Sequence, residues 1–515
     1  MDSQKIKTIL LLTIAAIGAL YLGIAAATAQ FETVLWIVGV IGLSVCVALG
    51  RRIWLIIPFA SSLGLVVPLP GNFTTEMMAQ IVTLGFCSLL FLMRKLPMRP
   101  RITILEVWCA AFTLCVVQTY MRNPVGLNLL GGDSVGGKPY VFFAITAAAA
   151  YLLSVILVAP NDLRWCVRLS VISGVMNFGL GLISKLVPAI GYYFGATFSS
   201  DVENGESVAP GEATRVSFVR QISLTLANWI SSRISPLKAS FHPLWMPLVL
   251  ASLAAAAFSG YRSQLIHACL YFLVGIFYRG GMRAIFASFF LGAAGLFMLA
   301  LVNSIAPLPA NVQRALTFLP GTWDQRFQRD AEGSTDWRVE MWKEALFTEK
   351  WIKNKWLGDG LGFTKKEFEA MKKFEDDRGG VAISGLSNVQ ESMMINGGYH
   401  SGPVQTIRTV GYVGLAVLVS GFILVAVHAH RQIQRTRGTE WFPVALFICS
   451  PFIVSPIFWL AIIGTFEGGA RVLLMGTAMV GMLHKNLPLP AYKPARSYSP
   501  LPRPHPHAGS PSVPS

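Results

Sequence analysis

Apolar stretches of about 17–25 residues follow one another along most of the chain, separated by short polar or basic segments. An α-helix of that length crosses the hydrocarbon core of a bilayer, about 30 Å thick, at about 1.5 Å per residue. The composition agrees, because 53% of the 515 residues are hydrophobic and only 13% are charged, too few for a domain whose surface faces water. We therefore predict an all-α polytopic membrane protein.

The pattern predicts about 14 membrane-spanning helices, with about 12 or 13 as alternative counts. The stretch at 216–232 is the most polar of them and contains Arg220, but removing it would place Arg279 and Arg283 outside. The predicted spans are residues 8–29, 33–50, 53–69, 76–93, 102–120, 139–158, 165–187, 216–232, 242–259, 262–278, 284–303, 404–427, 441–464 and 468–484.

The net charge of +16 follows this topology, so it does not indicate a nucleic-acid partner. With a cytoplasmic N-terminus, basic clusters fall in every second loop, as the positive-inside rule expects. The C-terminus then also lies inside, and the surplus charge faces anionic membrane lipids. The clusters are Arg51–Arg52, Arg94–Lys95 with Arg99 and Arg101, Arg164, Arg233 with Lys238, Arg279 with Arg283, and Arg431, Arg435 and Arg437.

One polar segment interrupts the apolar pattern. Residues 304–403 contain 14 Asp or Glu and 13 Lys or Arg residues, which predicts a large, mostly helical extracytoplasmic loop between spans 1–11 (residues 1–303) and spans 12–14 (residues 404–485). Residues 486–515 are rich in proline and predict a disordered cytoplasmic tail. No cysteine falls in the loop, so neither a disulfide framework nor a cysteine-based metal site is indicated.

Three cationic side chains mark the predicted outer face. Arg338 follows the N-cap candidates 334–336 and lies in line with the apolar stripe of the helix that we expect to begin there. Arg262 opens the span 262–278 on the outer face, where an arginine opposes the positive-inside trend. His400 precedes the next span and is the only histidine predicted to lie outside.

All three residues are predicted to lie at or beside a helix N-terminus, where unpaired N–H groups and the positive end of the helix dipole favour an anion such as phosphate. Arginine adds bidentate contacts to phosphate oxygens, and histidine can transfer a proton near neutral pH. Arg408 and Arg220 are further candidates. The alternatives are that the arginines anchor helices at the membrane edge and that His400 is an ordinary loop residue.

The run Gly-Asp-Gly-Leu-Gly at Gly358–Gly362 superficially resembles a phosphate-binding loop. It lacks the following Lys-Ser/Thr pair and a strand–helix context, so we predict a tight turn instead.

In their order, these features resemble the bacterial O-antigen ligase and O-antigen polymerase superfamily, membrane glycosyltransferases that use polyprenyl-diphosphate-linked glycans. The corresponding places are Arg262 in Ser-Gly-Tyr-Arg-Ser, Arg338 ahead of Trp-Lys-Glu-Ala and the Gly358–Gly362 run, and His400 ahead of Gly411–Gly414. The similarity covers roughly residues 240–425. It departs from the family in having Ser401 after the histidine, where asparagine is common, and in having Tyr261 and Ser263 beside the first arginine.

The resemblance implies an inverting, metal-independent transfer without a cofactor, in the bacterial cytoplasmic (inner) membrane. Arg262 and Arg338, with Arg408 as a further candidate, would hold the donor diphosphate, and His400 would orient or deprotonate the acceptor hydroxyl. The implied partners are a polyprenyl-diphosphate-linked glycan donor, a glycan or lipid acceptor, membrane lipids and polysaccharide-assembly proteins.

Ligases and polymerases share this machinery and differ in the acceptor, and the sequence favours a polymerase only because nothing in the loop points to a lipid A core. A transporter or flippase of lipid-linked sugars is the alternative of a different class, although we find no internal repeat. A structural membrane subunit is a third interpretation.

Overall fold

The computed structural model describes residues 42–67, 73–100, 102–126, 136–187, 218–364 and 397–487, a few isolated positions, and the backbone alone of residues 330–335. The first predicted span, part of the second and nearly all of the predicted tail lie outside these residues. Within them the chain is mostly helical, which confirms the predicted class. It also contains a small antiparallel pair of strands, β1 (Val66–Val67) and β2 (Phe73–Thr74).

Several helices begin where the sequence supplies a capping group. Thr74 accepts a hydrogen bond from the Met77 amide at the start of α2, and Thr103 forms a capping box with Glu106 at the start of α3. The helices are α1 (Gly42–Leu63), α2 (Thr75–Leu92), α3 (Ile104–Arg122), α4 (Lys138–Val155), α5 (Pro160–Leu186), α6 (Phe218–Arg233), α7 (Pro236–Ala239), α8 (Met246–Phe258), α9 (Arg262–Ile305), α10 (Ala310–Leu316), α11 (Gln325–Phe347), α12 (Gly402–Arg435), α13 (Phe442–Cys449), α14 (Pro451–Ala461) and α15 (Phe466–Asn486).

Nine helical segments within the described ranges are long and apolar enough to cross a membrane: α1 to α5, α9, α12, the consecutive pair α13 and α14, and α15. The predicted spans 216–232 and 242–259 correspond to α6 and α8, which are helices of only 16 and 13 residues. The membrane-type helices are therefore confirmed, whereas the count of about 14 is not.

Helix α9 is two apolar helices joined at a break. Its 44 residues would extend about 66 Å if straight, roughly twice the thickness of a bilayer core. Gly281 interrupts it with φ 70° and ψ −167°, a conformation that is essentially restricted to glycine. The two halves correspond to the separate spans predicted at 262–278 and 284–303.

The largest hydrophobic core lies where α12 packs against α3 and α15, with α4 on the other side of α15. Phe112, Phe422 and Phe466 are among its fully buried side chains. A second core joins α6, α8 and α9. These cores fix the helix ends on which the candidate site is built.

The loop between α9 and α12 contains α10, α11 and an irregular segment at 348–364. Helix α11 starts at Gln325, and the side chain of Asp324 caps it by accepting the Arg326 amide at 2.9 Å. The expected start near 334–336 was therefore wrong, because Asp324 supplies an earlier N-cap. Consequently Arg338 lies within the helix, not at its N-terminus.

A small third core fastens the loop to the bundle. Its buried members include Met341 and Ala345 from α11 and Val404 and Ile407 from α12, together with Tyr399 between them. We call the end of the bundle that the loop contacts the loop end.

Candidate functional site

Helix α12 is broken at its first turns, and the loop completes its backbone hydrogen bonding. Gly411 adopts φ 74° and ψ −178°, so the helical ladder stops there. The amides of Tyr412 and Val413 donate instead to the carbonyls of Lys355 and Trp356, at 2.8 and 3.2 Å. The loop thus supplies acceptors for amides that the break deprives of their helical partners.

The Gly-Asp-Gly-Leu-Gly run forms the other half of this connection. Gly358, Gly360 and Gly362 all have positive φ, at 78°, 99° and 79°, which confirms the predicted tight turn. The amides of Asp359 and Gly360 donate to the carbonyls of Arg408 and Thr409, at 2.6 and 3.0 Å. We call residues 358–362 the glycine turn.

Helix α3 holds the glycine turn from the opposite side. The guanidinium of Arg122 donates to the carbonyls of Leu357 and Gly358, at 2.8 and 2.7 Å, and Asn123 donates to the carbonyl of Asp359 at 2.9 Å. Sequence analysis did not single out Arg122. Its partners are backbone carbonyls more than 230 residues away, which leave no local pattern.

Arg408 is the buried cation beneath the glycine turn, with an exposed fraction of 6%. Its guanidinium carbon lies 4.3 Å from the centroid of the Phe363 ring. It also lies so close to Gly397 that a Cβ there would be 3.0 Å from it. Glu467, at the start of α15, interacts with Arg408 electrostatically. A cation taken out of water needs such a carboxylate nearby.

The hydroxyl of Tyr399 also faces Arg408. Tyr399 is fully buried, and its hydroxyl reaches no partner in hydrogen-bond geometry among the described residues. Burial raises the pKa of Tyr399 from 10.0 to about 12, although the charge of Arg408 acts in the opposite direction. The phenol is therefore neutral at physiological pH.

His400 adopts a left-handed backbone conformation, with φ 47°. Arg94 is the only other residue besides glycine with positive φ among the described residues. Such a conformation costs about 1–2 kcal/mol in a residue with a Cβ and is kept where its surroundings enforce it. Ser401, the next residue, caps α12 by accepting the Val404 amide. The imidazole therefore lies just ahead of this cap.

The ring of Trp337 connects His400 to Arg338. The imidazole meets this ring edge to face, with centroids 5.8 Å apart, and the Arg338 guanidinium carbon lies 5.8 Å from the ring centroid. One turn later, the indole N–H of Trp342 donates to the carbonyl of Tyr399 at 2.8 Å. Residues 397–401, which we call the Tyr399 segment, therefore bring Arg338, His400 and Arg408 into one neighbourhood.

Arg262 belongs to a second group of side chains at the loop end. It is the first residue of α9 and follows Tyr261, whose ring centroid lies 4.9 Å from the guanidinium carbon of Arg220. Asn311 of α10 approaches the carbonyl of Phe258 nearby, at 3.4 Å, which places this group under the loop. The predicted helix-start position is confirmed for Arg262, and its neighbour Tyr261 links this end of α9 to Arg220 of α6.

This arrangement can bind an anion and move a proton. Two arginines and a histidine lie around one short segment, and guanidinium groups match the geometry of phosphate oxygens. The described residues contain no group of three or more His, Cys, Asp or Glu side chains that could hold a metal ion.

Compared with known proteins, the chain matches no protein-family model and no curated protein. The assignment of a function therefore depends on the chemistry of the loop end.

Proposed function

We propose that the protein is an O-antigen ligase-like or exopolysaccharide-polymerising glycosyltransferase. It would transfer a glycan from a polyprenyl-diphosphate donor to an acceptor hydroxyl. The observation that supports this most strongly is the convergence of Arg338, His400 and Arg408 on the Tyr399 segment. An anionic lipid donor needs fixed cations at the end of apolar helices, where its hydrocarbon chain can remain in the bilayer.

In the proposed reaction the acceptor oxygen attacks the anomeric carbon of the donor sugar. His400 takes the hydroxyl proton while the bond from the anomeric carbon to the diphosphate oxygen breaks, and its electron pair stays on that oxygen. Arg338 and Arg408 stabilise the negative charge that develops on the leaving diphosphate, and Arg262 binds the same lipid-linked donor. The product has an inverted anomeric centre, and the proposal requires no cofactor.

The proposal places the loop end on the outer face of a bacterial cytoplasmic membrane, in a topology of about 14 spans with both termini inside. Basic residues away from the loop end support this orientation. Arg279, close to the break in α9, donates to the carbonyls of Ser231 and Ser232 at the end of α6. The acceptor class stays open, and we favour the growing glycan, which would make the protein a polymerase.

A transporter or flippase of lipid-linked sugars is the second candidate. The ion pair between Glu76 and Arg471, at 2.7 Å, joins the first two turns of the apolar helices α2 and α15 and is the kind of charge that transport pathways use. If the protein is a flippase, its deletion would leave lipid-linked glycan on the inner leaflet. If it is a transferase, its deletion would leave that glycan on the outer leaflet.

The central test replaces Arg262, Arg338 and His400 separately by alanine in a deletion strain. We expect each variant to lower the amount of surface polymer about 100-fold, because each removes a fixed charge or the proton acceptor. Surface-glycan profiles would be compared at equal protein levels in the membrane. Arg329→Ala, an exposed position of α11, and His242→Ala, an exposed residue before α8, serve as matched controls.

Normal polymer in all three variants, with none in the deletion strain, would show that the assignment of these residues is wrong. Loss in the two control variants as well would indicate a general folding defect.

Tyr399→Phe tests whether the phenol takes part in proton transfer. Because burial raises its pKa to about 12, Tyr399 keeps its proton between about pH 6 and 9. The contribution of this group to the free energy of unfolding is fully present below the unfolded pKa of about 10. It is lost as the pH rises through the pKa of the folded state. We expect the variant to lower the transfer rate only about fivefold and to leave the shape of the pH–rate profile between about pH 6 and 9 unchanged. A shifted profile would assign the proton transfer to Tyr399.

A further inference from the structure

A cavity of about 280 Å³ lies between α2, α4 and α15, next to the site but outside the Tyr399 segment. Leu361 of the glycine turn and Glu467 both form part of its wall. Its size lies just below the range for pockets that hold drug-sized molecules, about 300–1,000 Å³. The cavity is therefore large enough for a small polar molecule at the loop end.

Polar groups are linked along one wall of the cavity. Arg471 and Glu76 form an ion pair at 2.7 Å, Gln80 donates to Glu76 at 3.4 Å, and Thr146 donates to the side-chain carbonyl of Gln80 at 3.0 Å. The Arg471 side chain remains 55% exposed, so it keeps N–H groups for a ligand. Carboxylate, amide, hydroxyl and guanidinium groups together match the alternating donors and acceptors of a polyhydroxyl compound.

Aromatic rings form another part of the lining. Phe142, Phe143 and Phe466 border the cavity, and Phe112 lies behind the last two, with ring centroids 5.9 and 5.8 Å away. Phe143 and Phe466 are buried and form an apolar backing, whereas Phe142 is partly exposed. An exposed aromatic ring suits the apolar C–H face of a sugar, and few other polar ligands present such a face.

The charge of the lining distinguishes a neutral ligand from an anion. Its charged groups are the carboxylates of Glu76 and Glu467 and one guanidinium, that of Arg471. Lys138 lies against the Phe142 ring and Arg408 interacts with Glu467, but neither belongs to the lining. The cavity thus has no surplus of positive charge, in contrast to the Tyr399 segment. A diphosphate would be better bound at the latter.

We propose that this cavity binds a neutral sugar unit of the acceptor glycan. The inference deepens the proposed function and rests on it, because a bound sugar is an acceptor only if the protein is a glycosyltransferase. Glu467 lies at the junction, because it lines the cavity and interacts with Arg408. Leu361 of the glycine turn lines the cavity as well, and the Asp359 amide of the same turn donates to the Arg408 carbonyl, so a sugar in the cavity lies close to the proposed donor site. The acceptor is selected by hydroxyl groups and a ring face, and the donor by negative charge.

The test uses the full chain in phosphatidylcholine nanodiscs and two soluble probes. Binding of D-glucose, D-galactose and maltose is measured by saturation-transfer NMR, and binding of inorganic pyrophosphate by calorimetry. We expect Phe142→Leu and Thr146→Val to weaken saccharide binding about tenfold each and to leave pyrophosphate binding within about twofold. Arg338→Ala should weaken pyrophosphate binding and leave saccharide binding unchanged. Controls are Phe286→Leu, on an exposed position of α9, and Thr322→Val, on an exposed position of the loop.

Saccharide binding that is absent, or unchanged in both cavity variants, would overturn the proposal. Loss of pyrophosphate binding in these variants would overturn it too, because the cavity would then hold an anion. If saccharides bind as expected while Arg338→Ala and His400→Ala still produce normal polymer, the cavity remains a sugar site and the proposed transferase function fails. The two failures are therefore distinguishable.

Discussion

Replacing Arg408 by alanine is expected to lower the rate of glycan transfer about 100- to 1,000-fold, the largest loss of activity that we predict for a single residue. The side chain is buried beneath the glycine turn, against Phe363 and Gly397. Its removal takes away a fixed cation whose charge also acts on the carboxylate of Glu467. The transfer rate of purified protein with a polyprenyl-diphosphate-linked donor measures the effect.

Arg408→Lys separates charge from geometry. Lysine restores the positive charge but not the flat guanidinium that lies over Phe363, so we expect about a tenfold lower rate than in the unmodified protein. Arg431→Ala is the matched control, because Arg431 is an exposed residue of the same helix. Unchanged rates in both Arg408 variants would remove Arg408 from the site. The unfolding temperature of each variant distinguishes a loss of activity in a folded protein from a loss of structure.

The largest loss of stability is expected for Gly411→Ala. A Cβ at Gly411 would lie 2.1 Å from the carbonyl oxygen of Trp356 and 2.5 Å from the amide nitrogen of Leu357, and the φ of +74° is itself unfavourable for alanine. Since both neighbours are backbone atoms, the segment 356–357 ahead of the glycine turn would have to move. We expect a cost of about 3 kcal/mol or more, seen as a lower unfolding temperature of the solubilised protein.

Two other glycines separate the contributions to this cost. Gly438 has a φ of +80° but open space around it, so Gly438→Ala carries only the backbone penalty of about 1 kcal/mol. Gly295 lies in α9 with nothing within 4 Å and no left-handed φ, and its replacement by alanine should be neutral or slightly stabilising. If Gly411→Ala lowered the unfolding temperature no more than Gly438→Ala, the close contact with the loop would not contribute to the loss of stability.

Local patterns in the sequence predicted the features that depend on local physics. The lengths of the apolar stretches predicted most helix positions. The alternating glycines of Gly358–Gly362 predicted the turn, because positive φ is a property of single residues. The predicted start of α11 was wrong because the local sequence allows more than one start. Several residues can cap a helix, and the stretch after Asp324 contains no proline to prevent an earlier start.

The contacts that build the site could not be predicted from the sequence. Arg471 and Glu76 are 395 positions apart, and neither residue carries a sign of the other. Arg408 could be recognised as an unusual charge in an apolar helix, but its burial depends on Gly397 and Phe363, which come from other parts of the fold. Nor does the sequence reveal that the backbone of His400 is left-handed, since this follows from how α11 and α12 hold the Tyr399 segment.

The break in α12 has a consequence for exchanging parts between proteins of this kind. Four backbone hydrogen bonds join residues 355–360 to residues 408–413, so the first turns of α12 are completed by a chain segment some 50 residues earlier. A chimaera that imports a foreign loop would have to import a matching helix start with it. A deletion of one residue within either paired segment would shift the pairing. Insertions in the exposed connection between α10 and α11, at residues 320–322, would be tolerated far better.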